Sequence, residues 1–342
     1  MILRSFRRTL SLAFAASLLG APEIRYVIHV SVDGLRPDAI TALPAVSLPH
    51  FHRLRTQGAG TDNARCDFDI SVTLPNHTSQ LTGRPILGPA GHNWTGNRDP
   101  APDQTLASNK GAYIAGAFDV AHDHGLRTAA YVSKSKFALF PSSWDATHGA
   151  PDAVAPDNGR AKIDLYRCDE NTAALVAQLA CDQRALPAQY VFLHLGDLDA
   201  AGHAVGWDTA PGSGYSNTLL RIDSELGVLF DLIDTTPELA GRTAIVLTAD
   251  HGGFEKNHSD AARRENYTIP FYVWGPGIPG GADLYAQNAT TRRDPGETRP
   301  GYDTAPQPIR NGDAGNLSLQ LLGLGSIPGS TIGAAQDLAV AR

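Results

Sequence analysis

The stretch 244–258, Ala-Ile-Val-Leu-Thr-Ala-Asp-His-Gly-Gly-Phe-Glu-Lys-Asn-His, constrains the fold more than any other part of the chain. Its apolar start is β-branched and too short for helical periodicity, and it runs at once into Asp250, His251 and Gly252-Gly253, which reads as a buried parallel strand ending in a polar loop. In an open α/β sheet, ligands gather beyond the carboxyl ends of the strands. A carboxylate next to an imidazole offers one hard oxygen and one borderline nitrogen, a pair that suits zinc or manganese better than calcium. An isolated Asp-His-Gly is more often a capped turn with a surface histidine, so the argument rests on whether the arrangement recurs.

It does recur. Residues 26–32, Tyr-Val-Ile-His-Val-Ser-Val, form a nearly continuous strand pattern that ends in Asp33. A further strand over 189–195 leads into Gly196-Asp-Leu-Asp-Ala-Ala-Gly-His203, where Asp199 and His203 stand four apart and share one face of a helical turn. Asp197 ranks below Asp199 because its distance to His203 does not match that face. The run 71–77, Ser-Val-Thr-Leu-Pro-Asn-His, places Thr73 before a Pro75 suited to the first turn of a helix. A lone threonine there is usually a cap, but beside a metal its hydroxyl becomes a nucleophile. Asn97 closes a glycine-rich loop and is either a turn former or a neutral donor toward a developing oxyanion. A strand over 128–132 ends in Ser133-Lys134-Ser135-Lys136, either a solvated pair or an anion-binding edge. Helices are expected over 48–56, 215–232 and 313–324, and a strand over 269–274. The Pro-, Gly- and Asp-rich segment 137–160 reads as an excursion inserted over the site.

Composition limits the remaining choices. A chain of 342 residues with 42% apolar content buries a large core, and one catalytic domain is expected over 22–342. A formal net charge of −7 argues against a nucleic-acid polymer as partner. Residues 1–21 carry Arg4, Arg7 and Arg8, a short apolar run and small residues at Gly20-Ala21, the pattern of an export signal, so a periplasmic or secreted location is expected. No other stretch is long and apolar enough to span a bilayer. Of three cysteines, Cys168 and Cys181 flank a helical segment over 169–180 and are able to pair if oxidised, whereas Cys66 reads as a buried thiol.

The ligands sort into two sets. Asp33, Asp250 and His251, with Thr73 as a fourth group, make one; Asp199 and His203 begin another that lacks a third ligand. Only one histidine follows His251, namely His258, and it is free to reach back.

Together, Asp33, the run Thr73-Leu-Pro-Asn-His77 with Thr82-Gly83, Asn97 behind Gly91-His92, Asp199-x-x-x-His203 and Asp250-His251-Gly252 resemble the alkaline phosphatase superfamily, in particular its type I phosphodiesterase and nucleotide pyrophosphatase branch. That resemblance implies an α/β fold with a central, mostly parallel sheet flanked by helices and loop insertions over the site. It also implies two Zn2+ ions, with Mn2+ as substitute, Thr73 as nucleophile, Asn97 on the phosphoryl oxygen, and a small phosphorylated substrate. The expected activity is hydrolysis of phosphodiester or pyrophosphate bonds through a phosphothreonine. Two features depart from the branch. The downstream Asn-Gly-Thr-His-Gly run is replaced by Gly329-Ser-Thr-Ile-Gly333, so His258 must substitute, and Lys134-Ser-Lys136 resembles the paired substrate-binding lysines of phosphonoacetate hydrolase. Phosphonate or phosphomonoester hydrolysis is therefore the alternative activity, and a non-catalytic, zinc-stabilised envelope protein the alternative from another class.

Overall fold

A computed structural model describes residues 23–340; the export signal expected over 1–21 lies outside the described residues. In chain order the strands are β1 (Tyr26–Val32), β2 (Ala59–Arg65), β3 (Thr128–Val132), β4 (Leu165–Cys168), β5 (Tyr190–Leu195), β6 (Thr243–Thr248), β7 (Thr268–Trp274) and β8 (Ala282–Asp283). They form one sheet in the order β4-β3-β5-β1-β6-β7-β2-β8. Only β7 runs against the others, pairing antiparallel with β6 and β2. The sheet is thus mostly parallel, with its centre at β5-β1-β6.

The central strands are buried on both faces, which explains their continuous apolar runs. Alternation along β5 divides the core in two: Val191, Leu193 and Leu195 face one cluster, and Tyr190 and Phe192 face the other. The helices that matter here are α1 (Pro49–Gln57), α2 (Thr73–Thr82), α3 (Thr172–Ala185), α4 (Asp197–Val205), α5 (Gly214–Thr235) and α6 (Asp313–Leu321). The amphipathic α5 buries Leu219, Ile222, Leu226, Leu229, Phe230 and Ile233 on the first face. On the second face, α2 contributes Leu74 and Leu81.

Two sequence expectations change, and one strand has no counterpart among them. The segment 137–160 is not wholly an excursion: Phe137, Leu139, Phe140 and Trp144 are buried in the second cluster, because a short helix at Leu139–Ser143 carries them inward. Its remainder is tied down by the buried Lys162, whose ammonium meets Asp123, Asp152 and the Gly159 carbonyl. The cysteines do not flank a helix either: Cys168 ends β4, Cys181 lies within α3, and both are exposed free thiols. Finally, β2 escapes a reading by apolar pattern. Its Ala-Gly-Thr-Asp-Asn-Ala-Arg is held by pairing with β7, across a register shift between Thr61 and Ala64.

Glu225, on the buried side of α5, accepts a hydrogen bond from Thr172 Oγ1 at 2.7 Å, while its Oε2 has no partner. Burial pushes its carboxyl up to about 7. A raised folded-state pKa makes ionisation a cost that is absent below the unfolded value and fully present above the folded one. Glu225→Gln should therefore raise stability by roughly 1–3 kcal/mol at pH 8 and leave it unchanged at pH 4, as read by denaturant titration at both pH values.

Candidate active site

The candidate residues converge at the carboxyl ends of β1, β5 and β6, three neighbouring strands. Asp33 follows β1, Asp199 lies in α4 just after β5, and Asp250 with His251 follows β6. Close backbone approach makes this possible. Gly34 has φ of +71°, and a Cβ there would lie 3.1 Å from the Asp199 Cα. Gly252 and Gly253 have no room for a side chain, since a Cβ would fall 2.0 Å from the Glu265 carbonyl oxygen or 2.2 Å from the Trp207 ring.

Each aspartate has one oxygen held by the protein and one buried oxygen without a partner. Asp250 Oδ1 accepts from the Gly34 N–H at 3.0 Å. Asp33 Oδ2 accepts from His194 Nε2 at 2.9 Å and from Lys134 Nζ at 2.6 Å, and Asp199 Oδ2 accepts from the same ammonium at 2.6 Å. The unpartnered atoms are Asp33 Oδ1, Asp199 Oδ1 and Asp250 Oδ2.

The histidines show the complementary pattern. His203, His251 and His258 donate through Nδ1 to the carbonyls of Lys256, Gly252 and Ser71, at 3.0, 2.8 and 2.7 Å. Each Nε2 lone pair is left facing the free carboxylate oxygens. His251 Nε2 lies 3.0 Å from Asp250 Oδ2 and 3.5 Å from Asp33 Oδ1. His203 and His258 place Nε2 at 3.4 and 3.6 Å from Asp199 Oδ1, and 3.2 Å from each other. The rings of His251 and His258 stack with centroids 3.6 Å apart.

Two imidazole lone pairs facing one another, next to carboxylate oxygens that lack donors, are stable only with cations between them. A backbone carbonyl behind the outer nitrogen is also how metal-ligating histidines are usually oriented. The donor set therefore fits divalent metal. Asp199, His203 and His258 place one ligand atom each within 4.8 Å of one another, and so do Asp33, Asp199 and His251. Burial lowers the proton affinity of His251, but the charges of Asp250, Asp33 and Asp199 outweigh it and push the imidazole up to about 9. Without cations, the site carries an excess of negative charge.

Thr73 opens α2 and is buried, with Oγ1 3.5 Å from His251 Nε2. Its carbonyl is held from below by a string of buried groups whose donors all run one way. Tyr190 donates to His29 Nδ1, His29 Nε2 to Gln80, Gln80 to Ser31, Ser31 to His77 Nε2, and His77 Nδ1 to the Thr73 carbonyl at 2.8 Å. Burial lowers both His29 and His77 to about 4, keeping each ring neutral and its tautomer fixed. This support is visible in the sequence only as spacing: His29 and Ser31 share one face of a strand, and Thr73, His77 and Gln80 share one face of a helix.

Asn97 Oδ1 accepts from the Leu74 N–H at 3.0 Å and from Lys136 Nζ at 3.2 Å. The Leu74 amide next to Thr73 is thereby engaged. The two lysines separate in role. Lys136 lies near Thr73 through Asn97, whereas Lys134, expected on substrate, is paired with Asp33 and Asp199. Asp197 stays apart from the cluster on the Glu225 side of α4. Ile332, at the position of the missing downstream histidine, is buried against Gly312.

Comparison with known proteins agrees with this architecture. Murine ectonucleotide pyrophosphatase / phosphodiesterase 5 superposes with a TM-score of 0.63 at 16% identity, covering 93% of this chain and 100% of that one. An inactive threonine-to-alanine variant of the murine protein in complex with AMP gives 0.61 at 16% identity, over 92% and 100% of the two chains. The human protein gives 0.60 at 16% identity, over 92% and 99%. In sequence, GPI ethanolamine phosphate transferase 1 of Neurospora crassa is 31% identical over 112 residues; the match spans 33% of this chain and only 10% of that protein's length. The family model described as type I phosphodiesterase / nucleotide pyrophosphatase matches residues 27–267, a span that runs from β1 through the whole candidate site to the start of β7. The chain belongs to the type I phosphodiesterase / nucleotide pyrophosphatase family of the alkaline phosphatase superfamily.

Proposed function

We propose that the protein is an exported binuclear zinc hydrolase that cleaves phosphodiester or pyrophosphate bonds of a small phosphorylated substrate through a phosphothreonine at Thr73. The observation that carries this reading is the buried Thr73 hydroxyl at the head of α2 beside His251, whose Nε2 lies 3.0 and 3.5 Å from the unpartnered Asp250 Oδ2 and Asp33 Oδ1. Two zinc ions, when bound, supply the charge that acidifies that hydroxyl and stabilises the departing oxygen. Asp33, Asp250 and His251 would hold one and Asp199, His203 and His258 the other. Thr73 Oγ1, its proton passed through solvent to the leaving oxygen, forms a bond to phosphorus as the bond to that oxygen breaks, giving a phosphothreonine that keeps the second substituent of the substrate. Water then attacks phosphorus, the bond to Oγ1 breaks, and a proton of the water returns to Thr73 as the product leaves. The Asn97 NH2 donates to a non-bridging phosphoryl oxygen, and the positive end of α2 adds to that stabilisation.

Support for a nucleotide-like substrate comes from the AMP complex of the murine relative. Support for export comes from the residues before Pro22, and fractionation of the host cell with the intact chain tests it. The activity is tested by comparing turnover of a bis-aryl phosphate ester with that of its monoester. The diester should be preferred, and a monoester preference of orders of magnitude would overturn the reading. Lys136 favours one alternative, because its ammonium lies 3.2 Å from Asn97 Oδ1, beside the group proposed to hold the phosphoryl oxygen, and adds positive charge there. Phosphate release from phosphonoacetate, lost in Lys136→Ala, would move the assignment there.

A further inference from the structure

Lys134 is a cation that the chain itself places inside the cluster. Its Nζ lies 2.6 Å from Asp33 Oδ2 and 2.6 Å from Asp199 Oδ2, so it bridges a carboxylate from each proposed ligand set. Its side chain is mostly buried, at 19% exposure. The Asp33 end of this bridge is fixed independently. The Ser133 N–H and hydroxyl both contact His194 Nδ1, at 3.3 and 2.9 Å, so His194 presents Nε2–H to Asp33 Oδ2. Three hydrogen bonds from two donor groups thus fall on the two Oδ2 atoms and none on the two Oδ1 atoms, which point to different imidazoles: Asp33 Oδ1 to His251, and Asp199 Oδ1 to His203 and His258.

We propose that Lys134 is a positioning residue that partitions the two cations: by occupying Oδ2 of both Asp33 and Asp199, it leaves each carboxylate a single oxygen for a single metal. Without it, Asp199 is free to chelate through both oxygens or to bridge the two ions, since a flexible carboxylate near a pair of divalent cations readily does both, while Asp33 Oδ2 keeps only the His194 donor. Bidentate or bridging coordination fills positions that a catalytic site must keep open for substrate. This role rests on the two-cation reading above and assigns Lys134 away from direct substrate contact.

The test uses the full mature chain loaded with Co2+, whose visible absorption is intense at low coordination number and weak when six-coordinate. Wild type should bind two Co2+ and show the intense band. Lys134→Met should still bind two, lose much of that band, and, with Mn2+, gain the exchange-coupled electron paramagnetic resonance signal of a bridged pair; Lys134→Arg should keep the wild-type spectra. If Lys134→Met does not fold, Lys134→Gln, which keeps a donor without the charge, serves in the same comparison. Unchanged spectra in the neutral variant, with only KM raised, would overturn the proposal and return Lys134 to substrate binding. A wild type that binds fewer than two Co2+ would instead overturn the two-cation reading itself.

Discussion

Thr73→Ala lowers turnover of a phosphodiester by about a thousandfold or more, with both cations still bound, if the hydroxyl is the attacking group. The replaced group is small and α2 is unaffected: Thr73 contributes no side-chain cap, and its carbonyl keeps the bond from His77. The loss should therefore fall on kcat, with the melting temperature changed little. Acid quench of wild type during turnover, followed by mass measurement, should trap the phosphoryl group with its retained ester substituent on the peptide containing Thr73 and none in the variant. Substantial residual turnover in Thr73→Ala, or a phosphate-free wild type in the quench, would leave the hydroxyl as a ligand or cap and move the attack to water. Thr73→Ser, which keeps the oxygen, should recover most of the activity.

Removal of the cations by a chelator is the second large effect. Activity should fall by a comparable factor, and stability should fall as well, because ligands at a thousandfold excess over their dissociation constant contribute about 4 kcal/mol each. The pH dependence distinguishes this loss from nonspecific damage. In the metal-free protein His251 is raised from its ordinary 6.5 to about 9, so its protonated form contributes stability that is fully present below 6.5 and is lost as pH rises through 9. The metal-free melting temperature should therefore decline across that window, by an amount corresponding to roughly 2–3 kcal/mol, while the metal-loaded value does not follow it. The gap between the two forms widens with pH. A gap that stays constant from pH 6 to 9, in scanning calorimetry of both forms, would remove His251 from the cation site.

How much of this was legible depends on what each residue type announces. Asp33, Asp199, His203, Asp250 and His251 stand directly after strand patterns or at helical spacing, so their placement at one edge follows from the geometry of a parallel sheet. His258 was reached by counting histidines, and the structure brings it to 3.2 Å from His203. The partner of Lys134 was not legible, because a lysine at a strand end carries no signal that separates a substrate contact from a buried ion pair. His194 was hidden inside an otherwise apolar strand, and β2 was missed because cross-strand partners hold it rather than its own composition. The first turn of the 137–160 segment was misread because proline and glycine further on masked the aromatic residues that anchor it in the core.

The order β5-β1-β6 has one further consequence. Asp33 and Asp250 issue directly from adjacent strands about 4.8 Å apart, so their lateral spacing is inherited from the backbone, and Asp199 follows in the first turn of the helix after the strand on the other side of β1. The sheet works as a ruler. Exchanging the loops that follow these strands between relatives should then alter what is cleaved without disturbing the scale on which the chemistry is laid out.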